Sequence, residues 1–306
     1  MRVFVTGASG HIGSAVVPEL ISAGHQVVGF ARSESSAEAL EAAGCDVQRG
    51  DLEDLGAMRE AAAVADGVIH LAFNHEAMRT GDFLGAVATD QRAIEAIASA
   101  LEGSRKPFVS TSGTLMLTLG GISGRPGTEQ DVIDAGPRVD AENLVVGLAD
   151  RGVRSSIVRL PPIVHSTLDH HGFVTVLIAV ARESGAAGYV DDGSNRWPSV
   201  HTLDAARVYR LALEGAPAGS RLHAVADEGV PFRDIATVIG QKLGVRTESI
   251  PAEDAAERFA FLGPFVGLDN PTSSELTRRL LGWEPTRPGL LADLAEGHYF
   301  AAALAS

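Results

Sequence analysis

A short apolar run, Arg2 to Thr6, is followed at once by Gly7-Ala8-Ser9-Gly10-His11-Ile12-Gly13 and then by an Ala/Val-rich stretch of helical character. A strand, a glycine turn and a helix in direct succession leave few folds open. Gly7 permits the tight turn, Gly10 lets the backbone approach a pyrophosphate, and Gly13 lets the helix lie close to the strand. The helix N-terminus then offers free N–H groups and the positive end of its dipole to an anion. Gly7, Ser9, Gly10, His11, Ile12 and Gly13 are therefore candidate contacts for a dinucleotide diphosphate.

The chain beyond the loop keeps the rhythm such a site needs. β-Branched runs at Val3 to Thr6, Gln26 to Phe30, Asp46 to Arg49, Gly67 to Leu71, Phe108 to Ser112 and Ser155 to Leu160 alternate with helical stretches near 12–23, 35–43, 54–63, 82–102 and 138–151. That order predicts an α/β protein with a doubly wound parallel sheet, the Rossmann fold, over 1–160, its ligand lying beyond the carboxyl ends of the strands. After Pro161 the alternation fades, and helices are expected near 231–243, 252–262, 273–281 and 288–303. Residues 161–306 read as a smaller, mainly substrate-binding α/β region, with roughly 197–215 returning to pack on the first.

Composition narrows the partners. The chain has 306 residues, 45% apolar and 21% charged, which suits a folded globular protein and not a disordered or membrane-spanning one. Lys and Arg number 25 against 39 Asp and Glu, a formal charge of -14. A nucleic-acid partner is not expected, because phosphate neutralisation needs a basic face. Cys45 is the only cysteine, which excludes an intrachain disulfide and points to a reducing compartment. A strand begins straight after Met1 without a charged and apolar leader pattern, so a cytoplasmic location is expected.

The loop spacing is G-x-x-G-x-x-G, and further segments follow in order: Gly50-Asp51-Leu52, Val68-Ile69-His70-Leu71-Ala72, Val109-Ser110-Thr111-Ser112, Arg159-Leu160-Pro161-Pro162, Asp192-Gly193 with Arg196, Val200-His201-Thr202-Leu203-Asp204, and Leu281-Gly282-Trp283-Glu284-Pro285. Over nearly its whole length the chain resembles the short-chain dehydrogenase/reductase superfamily, in its extended epimerase/dehydratase branch. The resemblance implies that Asp51 and Leu52 meet the adenine and that Leu71, Ala72 and Phe73 line the ribose and nicotinamide path. Thr111 and Pro161 would border the same path, and Asn74 would touch a small-molecule substrate. It also implies a homodimer built on the long helices near 82–102 and 138–151.

The second strand ends Phe30-Ala31-Arg32-Ser33. An acidic residue there would bind the ribose 2′-hydroxyl of NAD, whereas an arginine accepts the extra phosphate of NADP. The Arg32 guanidinium and Ser33 hydroxyl suit that phosphate, so NADP(H) is the expected cofactor. NAD(H) is the alternative, with Arg32 an ordinary surface arginine and Glu34 just beyond it.

The resembling family places a Ser or Thr after the fifth strand and a Tyr-x-x-x-Lys motif on the next helix. Ser112 fits the first position and would hydrogen-bond the substrate oxygen. The motif itself is missing. Counting back from Glu142 puts Arg138 at the lysine and Asp134 at the tyrosine, and the only tyrosines are Tyr189, Tyr209 and Tyr299. Arg138 could hold the ribose hydroxyls or simply open a helix at the surface, but it cannot exchange protons. His165 is the first candidate for the missing proton donor, ahead of an ordered water, because imidazole titrates near neutrality. His165, His170 and His171 lie in one loop without a carboxylate or Cys to complete a recognisable set, so no metal is expected. Trp197, beside Arg196, is either a substrate contact or packing between the two regions. His70 reads as a satisfied core histidine and His201 as an anchor for the following helix.

These residues lead to an NADP(H)-dependent oxidoreductase that passes hydride between nicotinamide and a carbonyl or alcohol of a small or medium organic substrate. A non-catalytic NADP(H)-binding redox sensor and a sugar-nucleotide epimerase or dehydratase are the alternatives.

Overall fold

The structure is a computed structural model and describes residues 1–301. The first half runs β1 (Arg2–Thr6), α1 (Gly13–Ser22), β2 (Gln26–Ala31), α2 (Glu34–Ala42), β3 (Asp46–Arg49), α3 (Leu55–Val64), β4 (Gly67–His70), α4 (His75–Arg79), α5 (Phe83–Leu101), β5 (Pro107–Gly113), α6 (Leu115–Leu119), α7 (Pro137–Gly147) and β6 (Arg154–Leu160). The second half runs β7 (Ile163–His165), α8 (Phe173–Ser184), β8 (Ala186–Val190), β9 (Arg196–His201), α9 (Thr202–Gly215), β10 (Ser220–His223), β11 (Asp227–Pro231), α10 (Phe232–Leu243), β12 (Arg246–Ile250), α11 (Ala255–Phe259), α12 (Glu275–Leu281), α13 (Leu290–Glu296) and α14 (His298–Ala301).

Seven parallel strands form the main sheet in the order β10-β6-β5-β4-β1-β2-β3. Both faces are covered, which is why the strands read as unbroken apolar runs. Val3 and Val5 face a layer that includes α1 and α9, while Phe4 faces α3 and α5. The chain runs from β1 to β2 on one side and reaches β4 on the other. A crevice therefore opens at the carboxyl ends of β1 and β4, where a doubly wound sheet takes its ligand.

The second half builds a three-stranded sheet, β11-β9-β7, and a two-stranded sheet, β12-β8, around a separate apolar cluster. Three parts of it depart from expectation. Strand β10 leaves this region and pairs in parallel with β6 at the edge of the main sheet. The helix expected at 288–303 is split by Gly297, which takes φ 91° as a helix-ending glycine does; residues 302–303 lie outside the described residues. The helix expected at 252–262 is likewise short turns around α11, broken where Ala260 adopts φ 46°. Among the described residues no helix is long and apolar enough to cross a membrane.

Candidate active site

The crevice is built around the glycine loop. Gly7 has φ 66°, and a Cβ placed on it would lie 2.7 Å from the Ala72 nitrogen, so the loop packs directly on the end of β4. On Gly13 a Cβ would sit 2.1 Å from the Gly7 carbonyl oxygen and 2.5 Å from that of Ala8. Ser9 and Gly10 are exposed. Helix α1 has no side-chain cap, and among the described residues no carbonyl accepts from the N–H groups of His11, Ile12 or Gly13. Free amides over a glycine cradle fit a dinucleotide's diphosphate. The His11 imidazole turns aside, its Nε2 2.8 Å from the Thr202 hydroxyl. Burial holds its pKa below the ordinary value, with Asp169 opposing.

Just past the end of β2, Arg32 is exposed and makes no ion pair or hydrogen bond among the described residues. Ser33 caps α2, its hydroxyl accepting from the Ser36 N–H. The sequence reading passed over Arg49, which sits beside Ala31 in the β2–β3 register. Its guanidinium donates to the Ser33 carbonyl at 2.9 Å and to the Glu34 carboxylate at 2.6 Å. The acidic residue after Arg32 is thus already paired. Asp51 accepts from the N–H groups of Glu53 and Asp54, and Leu52 packs against the core.

At the other end, Leu71, Ala72 and Phe73 are half-buried along the exit of β4. Arg138, in the first turn of α7, lies with its guanidinium carbon 4.1 Å from the centre of the Phe73 ring. It donates to Asp90 at 3.1 Å and to the Thr111 carbonyl at 3.3 Å. Burial pulls its pKa down and the Asp90 charge pulls it back. The Thr111 hydroxyl faces the opposite layer, bonded to the His70 carbonyl and to Tyr209, whose phenol burial pushes up. Pro161 is buried, and the Asn74 side chain accepts from the Ala77 N–H at the start of α4.

Ser112 is buried beside Glu142, and its hydroxyl has no partner in hydrogen-bond geometry, although it lies near enough to help keep the Glu142 carboxylate ionised. The hydroxyl is enclosed on the Glu142 side of β5. Behind it, Glu142 receives Arg159 and Arg221. Burial pushes the Glu142 carboxyl up, but the Arg159 hydrogen bonds and charge prevail and hold it below its ordinary value.

Two sequence readings do not survive the packing. His165 is completely enclosed, its Nδ1 2.8 Å from Asp293 of α13, so it has no exposed face for exchanging a proton with a substrate. Trp197 is also fully buried, between Phe173 and Phe232, with its indole N–H on the Leu268 carbonyl. It packs the smaller region and offers no face to a ligand. Asp134, at the tyrosine position, is exposed. His70 is a satisfied buried histidine and His201 caps α9. Among the described residues no group of His, Cys, Asp and Glu is placed to hold a metal ion.

A family model described as NAD(P)H-binding matches residues 7–128. The protein C2A9.02 of Schizosaccharomyces pombe is 46% identical over 98% of this chain and 100% of its own length. A 4-hydroxy-2-methyl-3-oxo-4-farnesyl-3,4-dihydroquinoline-1-oxide ketoreductase of Stigmatella aurantiaca is 28% identical over 86% of this chain and 80% of its own. Among solved structures, the dTDP-glucose 4,6-dehydratase of Streptomyces venezuelae with NAD and TYD bound superposes with a TM-score of 0.77 at 19% identity, covering 99% of this chain and 97% of that one.

Proposed function

Because the chain belongs to the short-chain dehydrogenase/reductase superfamily, in its extended epimerase/dehydratase-like branch, we propose that it is an NADP(H)-dependent reductase or dehydrogenase acting on the carbonyl or alcohol of a small or medium organic molecule. The observation that carries this reading is the pairing of a glycine cradle with an unpartnered Arg32 at the adenosine end, where Arg49 has already neutralised Glu34. A free guanidinium suits a dianionic 2′-phosphate better than a hydroxyl. The Stigmatella ketoreductase supports the choice of a carbonyl substrate.

The dinucleotide would supply or accept the hydride. Gly7, Ser9, Gly10, His11, Ile12 and Gly13 would hold its diphosphate, Asp51 and Leu52 its adenine, and Arg138 its ribose, with residues after Pro161 mainly shaping the substrate side. Ser112 would have to turn its buried hydroxyl away from Glu142 to meet the substrate oxygen as charge develops there. With His165 enclosed, the proton would come from water.

Titration with NADPH and NADH, then consumption of each over a panel of aldehydes and ketones, tests this. Wild type is expected to prefer NADPH, and Arg32→Glu to lose roughly 10- to 100-fold of that preference. Equal affinities in wild type, unchanged by the substitution, would defeat the NADP assignment. The exposed Asp134 at the tyrosine position favours one other reading, a protein that binds NADP(H) without turnover. Tight binding with no consumption over the whole panel would select it.

A further inference from the structure

Arg138 does not stand alone. Asp90, on the buried side of α5, takes the Arg138 guanidinium on one carboxylate oxygen and His70 Nε2 on the other, at 3.1 Å each. His70 ends β4, is 2% exposed, and has Nδ1 2.7 Å from the Thr6 hydroxyl. The Thr6 oxygen in turn accepts from the Ala72 N–H at 3.3 Å. A carboxylate can only accept, so His70 donates to Asp90 through Nε2, and in the neutral tautomer that carries this proton Nδ1 accepts from Thr6. Each donor in the series from Ala72 to Thr6 to His70 then points the same way and ends on Asp90, with Arg138 closing it from the far side. No proton needs to move.

This connection joins both ends of the crevice. Thr6 is the residue before Gly7, and Ala72 is the backbone on which Gly7 packs. An arginine stem has many rotamers, and an unsupported side chain would lose that freedom on meeting a ligand. Here the Asp90 ion pair and the Phe73 ring fix the guanidinium beforehand, while only two of its five N–H donors are engaged by the chain. We propose that Asp90 and His70 are positioning residues: they hold Arg138 in register with the glycine loop, so that the permanent cation at the lysine position meets the dinucleotide's ribose already oriented. The proposal rests on the dinucleotide reading above and adds to it two residues that touch no ligand.

The test measures NADPH dissociation constants by fluorescence for wild type, Asp90→Asn, Arg138→Met and the double variant, each with a thermal melt. Asp90→Asn is expected to weaken NADPH roughly tenfold. Adding it to Arg138→Met should cost nothing further, because its effect passes through the arginine. His70→Gln, which keeps a donor toward Asp90, should lose less affinity than His70→Leu; this pair serves if Asp90→Asn does not fold. Unchanged affinity in a folded Asp90→Asn chain, independent addition of the two losses, or equal losses in both His70 variants would overturn the proposal. If wild type itself binds neither NADPH nor NADH, the dinucleotide reading fails and this proposal with it, a result distinct from a tight wild type and an indifferent variant.

Discussion

Gly13→Val is expected to abolish measurable NADPH binding and to lower the melting temperature of the chain. The reason is geometric. Any Cβ at this position falls 2.1 Å from the Gly7 carbonyl oxygen and 2.5 Å from that of Ala8, and both obstacles are backbone. A side chain obstacle could rotate away, whereas here the loop or the helix must move. Overpacking of this kind costs roughly 1–3 kcal/mol even where the surroundings adapt. Adaptation would separate α1 from β1 and disperse the free amides of His11, Ile12 and Gly13, the groups proposed to hold the diphosphate. A thermal melt and an NADPH titration check the two effects separately. Gly24, with φ 83° and no atom within 4 Å of its would-be Cβ, is the control for glycine replacement away from the loop. Its alanine variant is expected to bind NADPH normally.

The second large effect concerns the charges under Ser112. Arg159 is 1% exposed; it donates to Glu142 through Nε and Nη2, to the Asp131 carbonyl through Nη2, and contacts His223 through Nη1. Arg159→Met leaves Glu142 with Arg221 alone and strips the loop carbonyl of its donor. Removing one partner of a buried pair typically costs 3–5 kcal/mol, about that much of the chain's unfolding free energy. A urea unfolding curve reads it as a fall in midpoint. The same cluster sets an acid limit. Burial and the Arg159 charge bring the His223 pKa down to about 4 from 6.5, so the folded chain stays unprotonated there while the unfolded chain gains a proton. Stability is therefore full above 6.5 and falls as pH drops toward 4. Glu142, also depressed, adds its own loss below the ordinary carboxylate range. His223→Gln should shift the onset of acid unfolding to lower pH, which a series of melts between neutrality and pH 4 would show.

The parts of this molecule that depend on neighbours in sequence were legible in it. The glycine loop, the six leading strands and the absence of the Tyr-x-x-x-Lys pair are written within a few residues of each other, and periodicity and turn chemistry suffice to read them. What was not legible depends on distant partners. His165 looked available because its loop looked open, but Asp293 reaches it from 128 residues away. Trp197 carries the same surface grammar whether it grips a ligand or a core; only the arrival of Phe173 and Phe232 decides. The Arg138 anchorage needed Asp90, a helix residue 48 positions earlier with no motif around it. Arg49 gave one available signal, since adjacent parallel strands ending together bring their last residues side by side.

Strand β10 carries a consequence for how the chain is made. It comes from beyond α9 yet forms the outer border of the nucleotide-binding sheet, hydrogen-bonded to β6 from Ser220 to His223. Until those residues emerge during synthesis, β6 presents a bare row of amides and carbonyls, the sort of edge that invites pairing with another nascent chain. A fragment ending at Leu160 would leave β6 unpaired along the whole side that β10 covers.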